Sequence, residues 1–156
     1  MTSDPWHVHF ERRGRPAAVA RRLSEPSRIS WRRMTTVKIC IDVADLDEAG
    51  AFYCQALQCT EVGRNSRTVK LTAGGNELYL ILRPEGSMPF LAATEGRSFA
   101  RHWTPVHLDF SVEDVGRSTS EITRLGGIVE GQESGDWGSL TRCADPFGNG
   151  FCLVTT

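Results

Sequence analysis

Polar side chains that could do chemistry recur on one face of the strand-like segments of this 156-residue chain. Apolar and polar residues alternate in segments 37–43 and 106–112, which is typical of a β-strand with one buried face. The apolar face builds a core. The polar face indicates a hydrated pocket for a small ligand, because polar groups are costly to bury without partners. The alternation assigns these side chains to that pocket: Lys38, Cys40, Asp42, Glu77, Tyr79, His107, Asp109, Ser111 and Cys152.

His107 is the strongest candidate for catalysis in this set. An imidazole titrates near neutral pH, so His107 could act as a general acid or base, and Lys38 could stabilise an oxyanion. Each residue also has a structural interpretation. His107 could be a hydrogen-bonded core histidine, Lys38 could pair with Asp42 or Asp109, and Cys152 could be a small buried filler. The sequence has no Gly-x-Ser-x-Gly, phosphate-loop, dinucleotide or Cys-x-x-Cys motif, so it lacks the signatures of those site classes.

Helices and further strands must position these residues. Asp45 can cap a helix with apolar residues up to Leu57, and Asp114 can cap a second helix that ends at Gly126-Gly127. Three strand-like runs follow each helix, and a Gly-Asn turn precedes the last run of each set. The repeat predicts an α+β fold of two tandem βαβββ modules whose curved sheets pair to form a cleft. The runs lie at about 60–64, 67–72 and 77–82, and at about 127–130, 138–143 and 150–155.

Module one is expected at about 36–83 and module two at about 106–155. The loop between them, at about 84–105, is long for a connection inside a domain. It carries Trp103 and could be a lid over the pocket or an arm that contacts a partner. Trp137 lies near a turn and could line the cleft mouth or cap the sheet. We include both tryptophans in the predicted ligand pocket.

The net charge of −1 conceals a basic first segment. Residues 1–33 carry eight arginines and three acidic residues without an apolar period, so we predict a disordered extension, and a domain at 34–156. The extension could be an arm for nucleic acid or anionic lipid, or a transit peptide. It could also have no role, with Met34 beginning the working domain. The charge of the whole chain argues against nucleic acid as a partner.

Hydropathy and cysteine usage predict a location in the cytoplasm. No apolar run reaches the roughly 20 residues of a membrane helix, and the N-terminus lacks the apolar core of a secretory signal, so no membrane contact is expected. The five cysteines are odd in number and irregularly spaced, which favours free thiols in a reducing compartment.

Three segments resemble the vicinal oxygen chelate superfamily, which includes glyoxalase I, extradiol dioxygenases and bleomycin-resistance proteins. They are Asp45–Leu57 (DLDEAGAFYCQAL), His107–Asp114 (HLDFSVED) and Ala144–Val154 (ADPFGNGFCLV). The Phe-Cys-Leu ending is most similar to the branch of glyoxalase-like domains. The resemblance covers about 37–154. It implies the glyoxalase/bleomycin-resistance fold and a homodimer.

The resemblance also identifies where a metal would bind. The superfamily's metal enzymes take one ligand from the start and one from the end of each module, and these positions are Lys38, Tyr79, His107 and Cys152 here. A lysine ammonium repels a dication and tyrosine is a poor ligand at neutral pH, so no cofactor is expected. The alternative is a divalent ion (Zn, Ni, Mn or Fe) on His107, Glu77 and Cys152.

Three functions are compatible with this resemblance. We favour a protein that binds a small polar or aromatic molecule in the cleft between its modules, without a complete metal site. The first alternative is a metal-dependent lyase, isomerase or dioxygenase that uses His107 as a ligand. The second is a metal-independent enzyme with His107 as acid or base.

Overall fold

The computed structural model describes residues 37–155, so the predicted extension at 1–33 lies outside the described residues. Two helices and eight strands occur within the described part of the chain. In chain order they are β1 (Ile39–Val43), α1 (Leu46–Ala56), β2 (Thr60–Arg64), β3 (Thr68–Ala73), β4 (Asn76–Leu82), β5 (Leu108–Ser111), α2 (Val115–Arg124), β6 (Ile128–Gly135), β7 (Gly138–Ala144) and β8 (Gly150–Thr155).

The strands form two four-stranded sheets of the same topology. The first has the order β1-β4-β3-β2 and the second β5-β8-β7-β6. In each sheet the first pair is parallel and the other two pairs are antiparallel. Each module therefore runs β-α-β-β-β, which confirms the predicted α+β fold of two βαβββ modules.

Both helices begin at the predicted caps. The side chain of Asp45 accepts hydrogen bonds from the backbone N–H groups of Asp47 and Glu48, at 2.8 and 2.9 Å. Asp114 accepts one from the backbone N–H of Arg117 at 2.9 Å. These carboxylates satisfy backbone donors that the first helical turn leaves free. After α2 the chain turns at Gly126, whose positive φ of 83° suits glycine.

Apolar residues of both modules form one shared core. Phe52 of α1 meets Phe151 of β8 edge to face, with ring centroids 6.1 Å apart. Tyr53 of α1 lies 6.4 Å from the ring of Phe110 on β5. Helix α1 of the first module thus packs against the sheet of the second module, and this packing joins the two modules.

A buried hydrogen bond crosses the same interface. The Tyr53 hydroxyl donates to Oδ2 of Asp145 at 3.0 Å, and both residues are only 2% exposed. The Asp145 carboxylate also accepts hydrogen bonds from the backbone N–H groups of Phe147 and Asn149 and from the Asn149 side chain, each at 2.9 Å. Burial raises the pKa of Asp145, and these hydrogen bonds act in the opposite direction.

The residues at the start of each first strand depart from the expected alternation. Strand β1 begins at Ile39, so Val37 precedes the hydrogen-bonded ladder and is 82% exposed instead of lying in the core. Val106 stands in the same relation to β5 and is also exposed. The alternation of apolar and polar residues in the sequence begins before the hydrogen-bonded strand does. The apolar side chains that precede the hydrogen-bonded strand are not buried.

Candidate functional site between the modules

A cavity of about 840 Å³ lies between β1 and the start of β5. Its walls come from both modules and from the loop that connects them. Ile39, Phe99 and Phe151 contribute apolar surface. The polar lining side chains are Cys40, Asp42, Arg97, Ser98, His102, Thr104, His107 and Asn149.

Arg97 attaches the connecting loop to β1. Its Nε donates to Oδ2 of Asp42 at 2.6 Å, and its Nη1 donates to the carbonyl oxygen of Met88 at 2.9 Å. Nε of Arg83 lies 3.7 Å from the other oxygen of Asp42. The Asp42 carboxylate on the cavity wall is thus shared by two guanidinium groups.

The same loop is also attached to the second module. His102 forms a β-bridge with Asn149, and its backbone N–H donates to the carbonyl of Gly148 at 3.3 Å. Phe99 packs edge to face on Phe147, with centroids 6.0 Å apart. A loop that contacts both modules forms a fixed wall of the cavity.

Three side chains with metal-binding atoms meet beside this cavity. Nε2 of His107 lies 3.3 Å from Oδ1 of Asp109, and the ligand atoms of His107, Asp109 and Cys152 all lie within 4.8 Å of one another. Asp109 and Cys152 are opposite each other in the parallel β5–β8 pair. Burial, and secondly the Asp109 charge, raises the pKa of the Cys152 thiol to about 11.

Trp103 packs against this cluster. Its ring lies edge-on to the His107 imidazole, with centroids 5.6 Å apart. The Arg101 guanidinium stacks 4.6 Å from the Trp103 ring and pairs with Glu130, with Nη2 and Oε2 2.7 Å apart. Trp103, which the sequence placed in the ligand pocket, therefore lies next to His107. Arg101, which is paired with Glu130, stacks on its ring.

Glu77 belongs to a different cluster on the first sheet. It pairs with Lys70, and the Tyr79 hydroxyl donates to its Oε2 at 2.9 Å. The ammonium of Lys38 lies 5.4 Å from the centre of the Tyr79 ring. The hydrogen bond from Lys70 lowers the pKa of Glu77, so Glu77 is a carboxylate already neutralised by a cation. Among residues 37–155, the grouped metal-binding side chains do not include Glu77.

The structure thus separates the predicted pocket residues. Lys38 lies over Tyr79, while Asp42 pairs with arginines, so the interpretation of Lys38 as the partner of Asp42 is wrong. Trp137 follows β6 at its turn and does not line the described cavities. Cys40, Asp42 and His107 line the 840 Å³ cavity, Asp109 and Ser111 line a second cavity of about 440 Å³ beside β5, and Lys38, Glu77 and Tyr79 cluster on the first sheet.

Sequence reasoning missed five polar residues of the cavity wall, Arg97, Ser98, His102, Thr104 and Asn149. Arg97 and His102 lie in the connecting loop, where no period indicates direction. Asn149 lies in the closing turn, and its place beside the cavity depends on the bridge to His102.

The sequence model of the glyoxalase-like domain family matches residues 38–154 of this sequence. The chain belongs to the glyoxalase-like domain family. The predicted place within the vicinal oxygen chelate superfamily is confirmed by this match and by the structures similar to the chain. No curated protein matches the sequence significantly.

Solved structures share the fold of this glyoxalase-like domain at low identity. A glyoxalase-related enzyme from Fulvimarina pelagi has a TM-score of 0.61 at 16% identity, over 78% of this chain and 88% of that one. The fosfomycin resistance protein FosX from Listeria monocytogenes has a TM-score of 0.60 at 18% identity, over 79% and 93%. Lactoylglutathione lyase from Agrobacterium tumefaciens has a TM-score of 0.52 at 20% identity, over 77% and 92%. One fold carries several functions here, so the likeness does not transfer a reaction.

No helix between residues 37 and 155 has the length and apolar character needed to span a membrane.

Proposed function

We propose that this glyoxalase-like domain binds a small polar or aromatic molecule in the cavity between its two modules. The cavity itself carries the proposal. Its volume of about 840 Å³ falls within the roughly 300–1,000 Å³ typical of small-molecule sites. Apolar walls with a few polar groups at fixed positions are also typical of such sites.

The lining supports a ligand with an apolar body and hydrogen-bonding ends. Phe99, Ile39 and Phe151 provide the apolar walls. His102 contacts the carbonyl of Ala100 through Nδ1 at 2.9 Å, which leaves Nε2 for a ligand. The Arg97–Asp42 pair fixes this part of the loop, so a ligand would meet a wall that needs little ordering on binding.

A titration with anilinonaphthalene sulfonate, an anionic aromatic dye, tests the cavity. We expect saturable binding with one dye per chain, seen as increased dye fluorescence. Thr104→Trp places a large ring in the cavity lining and should abolish this binding. Thr60→Trp puts the same ring on the exposed edge strand β2 and should leave binding unchanged. Non-saturable binding, or equal binding by both variants, would refute the site.

A metal-independent enzyme is the second candidate, and the pairing of His107 with Asp109 favours it. A carboxylate 3.3 Å from Nε2 can hold the ring in one orientation, as general acid–base catalysis requires of its imidazole. Lys38 does not line either cavity beside β5, so geometry gives no support to its role at an oxyanion. If dye-competing compounds are turned over, His107→Gln should abolish turnover while the dye still binds.

We also propose that the protein is a cytoplasmic homodimer. The resemblance to the superfamily supports dimer formation, and Phe90 and Leu91 are exposed apolar side chains on the connecting loop. The five cysteines are free thiols, which supports a reducing compartment. Light scattering on the full chain tests the dimer, and a monomer at all concentrations would exclude it.

A further inference from the structure

We propose that the cavity of about 440 Å³ beside β5 binds a small organic cation, with an ammonium group at its acidic end and an apolar body against its inner wall. This cavity lies toward the start of β1 and the end of β5. The 840 Å³ cavity lies toward the end of β1 and the start of β5, and the two cavities share only Ile39 and Leu108. The proposal does not depend on the ligand proposed for the larger cavity.

Strand β5 gives the smaller cavity both an apolar and a polar side. It is an edge strand that pairs only with β8 within its sheet, so residues from both of its faces reach the cavity along its free edge. Leu57 and Leu78 of the first module, which are both buried, extend the apolar side. A ligand that fits this lining has an apolar body and one polar end. The β5 segment contributes Leu108, Phe110 and Val112 from one face, and Asp109, Ser111 and Glu113 from the other.

The polar end of the smaller cavity is acidic. Asp109 and Glu113 line it, and no lysine, arginine or histidine from the described part of the chain does. The larger cavity differs, because its carboxylate, Asp42, pairs with Arg97 of the connecting loop. Asp109 already lies 3.3 Å from the His107 ring, so Glu113 is the main partner for a cation. A cavity with apolar walls strengthens this attraction, because charges interact more strongly in a lower dielectric.

Gln58 lines the same cavity from an unusual backbone position. It follows α1 with a φ of 55°, and no other non-glycine residue in the described part of the chain has a positive φ. The second module has Gly126 at the corresponding place after α2, with a φ of 83°. Glycine is the residue that suits this conformation. A side chain whose amide oxygen can accept a hydrogen bond from an ammonium group thus stands where glycine would be less strained.

Calorimetric titration of the full chain with 2-phenylethylamine tests the site, since this probe combines one ammonium group with an aromatic body. We expect saturable binding of one probe per chain. Two analogues, the neutral 2-phenylethanol and the anion phenylacetate, should each bind about tenfold more weakly or worse, because they lack the charge-assisted hydrogen bond.

Glu113→Gln tests the acidic end of the cavity and should weaken binding of 2-phenylethylamine about tenfold. Glu85→Gln is the matched control, because Glu85 is exposed and does not line the cavity, and it should bind the amine as the unchanged chain does. Equal affinity of the two variants, equal binding of 2-phenylethanol and the amine, or no saturable amine binding would overturn the proposal.

Gln58→Gly separates a binding role from a structural one. Glycine relieves the positive φ, so the urea concentration at the unfolding midpoint should rise, while amine binding weakens about fivefold. A variant that binds the amine as tightly as the unchanged chain would contradict the site.

Thr104→Trp distinguishes the two cavities, because Thr104 lines only the larger one. This variant should bind 2-phenylethylamine normally. Loss of amine binding in Thr104→Trp would put the amine in the larger cavity and overturn the proposal. Saturable dye binding without amine binding would also overturn it, and would leave the proposed function standing.

Discussion

Replacing Tyr53 by phenylalanine removes one hydroxyl from the interface between the modules. That hydroxyl donates to the Asp145 carboxylate at 3.0 Å, and both side chains are buried, so water cannot replace it. A hydrogen bond to a charged group contributes about 1.5–3 kcal/mol. Asp145 keeps three other donors, so its carboxylate is not left without partners. We therefore expect Tyr53→Phe to lower the free energy of unfolding by about 1.5–3 kcal/mol at neutral pH.

The loss should depend on pH. Burial raises the folded pKa of Asp145 above the usual range of an aspartate, so ionising this group costs stability as pH rises through the folded pKa. The Tyr53 hydrogen bond reduces that cost, because it favours the carboxylate. In Tyr53→Phe the pKa of Asp145 rises further, and the destabilisation should shrink as pH falls through it. Urea unfolding at neutral pH and at about pH 4 measures both values.

Tyr79→Phe is the control for this experiment. The Tyr79 hydroxyl also donates to a carboxylate, Glu77 at 2.9 Å, but this pair is only half-buried. We expect it to change stability by less than about 1 kcal/mol. The reasoning is refuted if both tyrosine variants lose the same stability, or if the loss in Tyr53→Phe is equal at both pH values.

Two other substitutions test how the connecting loop is held. Arg97→Gln removes the ion pair to Asp42, so we expect faster proteolysis within the loop at 84–105, whereas Arg67→Gln, an exposed control, should be cleaved at the original rate. Gly148→Ala combines a positive φ of 77° with a Cβ 2.4 Å from the carbonyl oxygen of Ala100. We expect Gly148→Ala to lower the free energy of unfolding, measured in urea, by about 1–3 kcal/mol. Gly63→Ala should leave it unchanged, because the added Cβ meets nothing within 4 Å. Unchanged cleavage, or a neutral Gly148→Ala, would contradict these contacts.

The fold could be predicted because its signals are local. Alternation in 37–43 and the cap at Asp45 each need only a few neighbouring residues, and the repeat then gave the two-module fold. The site was harder, because it depends on contacts between distant residues. Asp109 and Cys152 were each placed on the polar face, but the sequence does not show that they are cross-strand partners.

Glu77 illustrates the same limit. Its strand parity correctly put it on the polar face with Tyr79, and Tyr79 is its hydrogen-bond donor. Strand parity does not predict the register of the β3–β4 pair. That register brings Lys70 close enough to form an ion pair with Glu77. Arg97 and His102 had no periodic signal, because they lie in the connecting loop, whose path depends on its contacts with the two modules.

The packing of α1 on the second sheet has a consequence for synthesis of the chain. Tyr53 and Asp145 are 92 positions apart, and Phe151 lies further on. A nascent chain that has only its first module must leave one side of α1 uncovered, so the shared core closes late, after the closing turn has left the ribosome. The modules look like two copies of one unit, yet neither should fold stably when expressed alone.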